Sequence, residues 1–230
     1  MIPLVLLPGM MCDARLYGPQ FTVFSQGREV QVPPLVGDTV GDIASDVLAN
    51  TPARFALGGL SMGGIVAMEI LRQAPHRVDR IALLDTNPLA ERSDIQARRE
   101  PQIKKVQAGA LLAVMRDEMK PNYLTDGPNR QAILDLCMDM AQTLGPDVFI
   151  DQSRALQTRP DQVETLKNSH IPTLILCGRD DKLCPIKRHQ LMSELMPHAT
   201  FHIVEKAGHL PTLEQPEETT QALAQWLEAT

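Results

Sequence analysis

Three short runs, Leu4–Leu7, Phe55–Leu57 and Ile81–Leu84, contain no polar residue. A strand with one wet face alternates polar and apolar side chains, so runs that are apolar throughout belong in a parallel sheet covered on both faces. Val30–Val32, Thr173–Cys177 and Phe201–Val204 read as further strands. Helices do the covering: Val40, Ile43, Ala44, Val47 and Leu48 fall at helical spacing behind a cap at Asp38 or Thr39. Another helix is expected around Ile186–Met196, and a last one from about Glu217 to Leu227. The pattern predicts an α/β fold: a mostly parallel six-stranded sheet with helices on both faces.

Between Pro88 and about Thr165 the strand pattern stops, and the chain reads as helices broken at Pro101, Pro121-Asn122, Gly127-Pro128 and Gly145-Pro146. Apolar positions such as Leu111, Val114, Met115, Leu134 and Phe149 exceed what a solvated linker carries. Residues 88–165 are therefore expected to form a helical cap inserted into a core made of residues 1–87 and 166–230.

Composition narrows the function. With 230 residues, 43% of them hydrophobic, the chain can bury a continuous core without disulfides or metal. A net charge of −6, the lack of a Lys/Arg cluster that could neutralise a phosphate backbone and only 3% aromatic residues argue against a nucleic-acid partner. Cys12, Cys137, Cys177 and Cys184 match no zinc or C-x-x-C spacing, which suggests reduced thiols and a cytoplasmic setting. Met1–Leu7 lacks the basic flank and cleavage site of a signal peptide and the length of a membrane span. His76, His170, His189, His198 and His202 fall near predicted element ends or on polar faces, so neither metal nor cofactor is expected.

The segment Arg54–Glu69 reads strand, sharp turn, helix, with Gly59-Leu60-Ser61-Met62-Gly63 at the turn. That context gives a G-x-S-x-G motif its meaning. A Ser on so tight a turn leaves no room for side chains two positions away on either side, hence Gly59 and Gly63. The turn lifts the Ser61 hydroxyl above the sheet edge, and the Met62 amide at the helix start points where a carbonyl oxygen would gain charge. The glycines do not form a phosphate loop, since neither the Lys-Ser/Thr ending nor G-x-G-x-x-G spacing is present.

A serine nucleophile needs a base, and the base needs a carboxylate to fix its tautomer. Asp180 and Asp181 follow the strand Thr173–Cys177, and His209 follows the strand Phe201–Val204. In a parallel sheet both loops emerge at the same edge as Ser61. At the end of the first strand, Pro8-Gly9-Met10 turns tightly enough for the Met10 amide to face that edge as a second oxyanion donor.

On these residues the chain resembles the α/β-hydrolase superfamily over nearly its whole length. The elbow Gly59–Gly64 is similar to that of esterases, lactonases and cofactor-free haloperoxidase-like members. The run Gly178-Arg179-Asp180-Asp181-Lys182-Leu183-Cys184-Pro185 resembles the acid loop G-x-x-D-x-x-x-P, which aligns Asp181 with the triad acid, and Gly208-His209 resembles the histidine loop. There are departures: Pro8-Gly9 stands where the family has His-Gly, the leading antiparallel strands are absent, and Pro33–Asp38 replaces a D-x-x-G-x-G-x-S turn. Ser61 rules out the nucleophilic Asp of dehalogenases. Asp85, at the end of Ile81–Leu84, is a substitute acid ranked behind Asp181.

The resemblance implies a serine hydrolase with Ser61 as nucleophile, His209 as base, Asp181 as its orienting acid and the Met10 and Met62 amides as oxyanion hole. The expected substrate is a small-molecule carboxylic ester or lactone with an apolar group. Thioesterases, C–C hydrolases and perhydrolases use the same triad, and a hydrolase-fold ligand-binding protein with little turnover would carry the same residues. Oligomeric state leaves no mark in the sequence.

Overall fold

The computed structural model describes residues 1–229. Its sheet has six strands, β1 (Leu4–Leu7), β2 (Val30–Gln31), β3 (Phe55–Leu60), β4 (Val78–Leu84), β5 (Thr173–Gly178) and β6 (Thr200–Val204). They lie in the order β2-β1-β3-β4-β5-β6, and every pairing is parallel. Alternate residues of each strand feed two separate cores. Val5, Leu7 and Leu57 face α2 (Val40–Ala49) and α3 (Met62–Gln73), while Leu4, Leu6 and Ala56 join Phe24 of α1 (Gly18–Phe24) and Trp226 of α10 (Pro216–Glu228). Unbroken apolar runs thus mark a sheet with two dry faces. Thr39 caps α2, its hydroxyl accepting from the Asp42 amide at 3.0 Å.

Four elements follow β4 before the chain returns to the sheet: α4 (Ser93–Gln107), α5 (Leu111–Ala113) continued by a π-helical stretch Val114–Met119 and a turn Lys120–Asn122, α6 (Arg130–Gln157) and α7 (Val163–Lys167). Despite the long excursion, β4 and β5 are direct neighbours, so the helical segment interrupts the sequence and leaves the sheet intact. Two details differ from the sequence reading. Helix α4 runs through Pro101 without breaking, anchored by the buried Ile103 and Val106 and by the hydrogen bond from Gln96 to the Gln157 carbonyl. Packing there outweighs one lost backbone bond. The second strand stops at Gln31, an edge position, because Pro33-Pro34 has no N–H to continue the ladder. The predicted break at Gly145-Pro146 is present as a kink in α6, where Gly145 takes φ 84°. No helix among the described residues is long and apolar enough to cross a membrane.

Candidate active site

Ser61 sits between β3 and α3 with φ 56° and ψ −115°, a left-handed conformation costly for a residue with a side chain. Its surroundings leave it little alternative. A Cβ on Gly63 would run into the Leu7 carbonyl, and one on Gly59 into the backbone of Gly63, so β1, β3 and α3 meet at van der Waals distance around the turn. The turn is held from the next strand as well. The Ser61 amide donates to the Leu84 carbonyl at 2.9 Å, and the Thr86 hydroxyl donates to the Ser61 carbonyl at 2.7 Å.

Thr86 is positioned in turn by His189, whose Nε2 accepts from the Thr86 amide at 3.1 Å. His189 lies in the first turn of α8 (Ile186–Leu195), near an element end as expected, but it is fully buried and not on a polar face. Helical spacing did not reveal this, because a single polar residue on an apolar face carries no periodic signal. Burial lowers its pKa to about 4, so at neutral pH the ring is uncharged and can accept the amide proton.

Opposite Ser61, His209 Nδ1 and Asp181 Oδ2 lie 2.8 Å apart, both buried. Burial, the largest influence on Asp181, pushes its carboxyl up. The charge and hydrogen bond of His209 and the Cys184 amide outweigh it and bring the group down to about 2. Asp181 Oδ1 also accepts from the Leu183 and Cys184 amides at 2.8 and 3.0 Å, so every strong contact favours the carboxylate. Asp85, the substitute acid, is elsewhere engaged: its Oδ1 accepts from the Gly178 amide at 2.9 Å. Complete burial and then the charge of Asp181 raise the Asp85 carboxyl well above the usual range. Two acids stand behind the histidine, one whose ionised form is favoured and one whose ionised form is disfavoured, and the imidazole contacts the first.

The histidine loop is held by the helical segment. The His209 amide donates to the Tyr123 carbonyl at 2.6 Å, the two rings lie 5.6 Å apart, and Glu214 Oε2 accepts from the amides of Gly208 and Leu210. The oxyanion loop is pinned in the same way: Gln152 on α6 accepts from the Met11 amide at 2.9 Å, and the Cys12 amide donates to the Gly9 carbonyl. Gly9, Met10, Ser61, Met62 and His209 line one cavity of about 710 Å³. Met62 is the first residue of α3, whose leading amides have no intrahelical acceptor. Ser61 and His209 share the cavity wall, and among the described residues no hydrogen bond joins their side chains. The supporting roles of Thr86, His189, Tyr123, Gln152 and Glu214 carry no motif in the sequence.

Asp181, Cys184 and His209 each offer one atom to a cluster spanning 4.8 Å. The set is a poor metal cage, because His209 Nδ1 is already bound to Asp181. Burial, and then the charges of Asp181 and Asp85, hold the Cys184 thiol well above its ordinary range.

Residues 4–222 match the family model described as alpha/beta hydrolase family. The chain belongs to the alpha/beta hydrolase family. Within it, the chain is 29% identical over 196 residues to the pimeloyl-[acyl-carrier protein] methyl ester esterase of Salmonella newport, covering 80% of this chain and 74% of that one. Among solved structures it is similar to a thermophilic esterase from Thermogutta terrifontis, with TM-score 0.89, 27% identity and coverage of 99% and 89% of the two chains. The fold of the enol-lactonase from Burkholderia xenovorans LB400 matches with TM-score 0.88 at 19% identity, covering 100% and 92%. The hydrolase fold in this chain thus keeps its six strands and places both loops beside the serine turn.

Proposed function

We propose that this alpha/beta hydrolase is a serine ester hydrolase. Ser61 attacks the carbonyl of a small ester or lactone, and its proton passes to His209 Nε2 while the Met10 and Met62 amides hold the oxyanion. The carbon–oxygen bond to the alcohol then breaks, the alcohol leaving with that proton. Water attacks the acyl-enzyme, gives a proton to His209, and the acid departs as the Ser61 oxygen recovers it. The observation that carries this reading is the buried 2.8 Å His209–Asp181 contact on the wall that holds Ser61 at φ 56°. The esterase names of two relatives support the reaction class. Each oxyanion donor would lower the barrier by about 3 kcal/mol.

Residues 88–165 serve here as the cap over the site, supplying Met119, Tyr123 and Leu156 to the cavity. The substrate is a small molecule, and a cytoplasmic setting agrees with four unbridged thiols. The test is a fluorophosphonate probe followed by intact mass and peptide mapping. One adduct on Ser61, absent in Ser61→Ala and accompanied by loss of p-nitrophenyl ester hydrolysis, is expected. An unlabelled Ser61 in folded protein would overturn the mechanism.

A further inference from the structure

The chain carries a net charge of −6, yet seven Lys or Arg side chains and only two carboxylates, Glu91 and Glu118, line its cavity. Both carboxylates are already engaged, Glu118 by Lys105 at 2.6 Å and Glu91 by two arginines. Arg99 donates to both Glu91 oxygens at 2.5 and 2.6 Å, and Arg159 approaches Glu91 Oε1 at 3.4 Å. These side chains are 12% and 11% exposed, and Glu91 is 2% exposed. Arg188, half-buried on the same wall, is close enough to Arg159 to disfavour its charge, and no ion pair with Arg188 is formed among the described residues. Two guanidinium groups therefore share one carboxylate in a partly desolvated wall, with the guanidinium of Arg188 beside them. Such an excess is costly unless an anion completes it.

Helix α8 adds an independent sign. Its first turn carries Lys187 and Arg188 and no acidic residue, although the positive end of a helix dipole favours carboxylates there. Stability alone does not select that arrangement, and both residues face the cavity. Arg99 also lies 3.9 Å from the sulfur of Met10, which ties the cationic wall to the oxyanion loop.

We infer that Arg99, Arg159, Arg188 and Lys187 form an anion subsite, and that the substrate is an ester carrying a free carboxylate a few carbons from the scissile bond. A carboxylate would take the paired N–H groups of a guanidinium and restore the missing charge. The inference rests on the ester-hydrolase reading, but its test separates the two.

The experiment compares half-methyl esters of short dicarboxylic acids (succinate to suberate), and acetyl esters of ω-hydroxy acids, with partners of equal length ending in a carboxamide. The carboxylate esters should have kcat/KM about tenfold higher or more at low ionic strength. The preference should shrink several-fold near about 0.5 M salt and collapse toward one in Arg188→Gln. Arg188→Glu should favour esters ending in an ammonium group. Calorimetric binding of the same pairs to Ser61→Ala reads the subsite without turnover. Tighter carboxylate binding there supports the inference even if the wild type fails to hydrolyse either ester, a result that would sink only the reaction. Equal affinity and equal, salt-insensitive kcat/KM overturn it. So does a preference confined to carrier-protein-borne esters, which would make the cations a protein-docking rim.

Discussion

The serine turn and the histidine loop meet at one cavity but are held in different ways. Ser61 is forced into its conformation by backbone close by: the Leu7 carbonyl abuts Gly63, Gly63 abuts Gly59, and the Leu84 carbonyl takes the Ser61 amide. His209 is held by side chains and backbone from the helical segment and from α9 (Pro211–Glu214), through Tyr123 and Glu214. Steric exclusion fixes the nucleophile, and a set of individually modest hydrogen bonds fixes the base. The first arrangement tolerates almost no substitution, whereas the second should degrade gradually.

The sharpest way to break this contrast is Gly63→Ala, which sets a methyl group against the Leu7 and Pro8 carbonyls. A loss of about 4 kcal/mol in urea unfolding is expected, with activity falling in step. A variant of wild-type stability would remove the steric account of the turn.

Next in size is the pH dependence built into the support behind the serine. His189 has a pKa of about 4 when folded against an ordinary 6.5, so the unfolded chain binds the extra proton first. Stability should therefore fall as pH drops from about 6.5 to about 4, by about 3 kcal/mol from this group. His189→Gln should flatten that slope in denaturant titrations across the window. Asp181 has the opposite chemistry and a lower window. Its depressed pKa contributes stability above the ordinary carboxylate value that is lost only as pH falls from about 3.8 toward about 2. A slope unchanged by His189→Gln would show that Thr86 does not depend on a neutral ring.

Glu214→Gln should have the smallest effect. It retains one acceptor oxygen but loses the charge that orders the Gly208 and Leu210 amides and Thr125. About 1–2 kcal/mol in kcat/KM is expected, with the fold intact by circular dichroism. A collapse as severe as that of Gly63→Ala would erase the distinction between the two regions.

Much of this molecule is written locally. The strands, the serine turn, the acid and histidine loops and the helical segment all follow from apolar runs, glycine spacing and proline breaks, because those signals depend on neighbours in the chain. Pro101 was misleading for the complementary reason: local chemistry predicted a break, and the packing of Ile103 and Val106 overrode it. The roles of His189, Tyr123, Gln152 and Glu214 were invisible, since each is defined by a partner on another element.

The charge of the cavity makes the same division. By itself the sequence determined an acidic chain with no cluster of Lys/Arg, a parallel α/β sheet and Ser61 at a strand-to-helix turn. The tertiary structure brought Asp181 to His209, as the acid-loop resemblance implied, and only it gathered arginines from α4, α8 and the loop after α6 onto the cavity wall that holds Glu91. Periodicity and turn chemistry act over a few residues, whereas electrostatic surroundings are set by whatever folding brings within several ångströms.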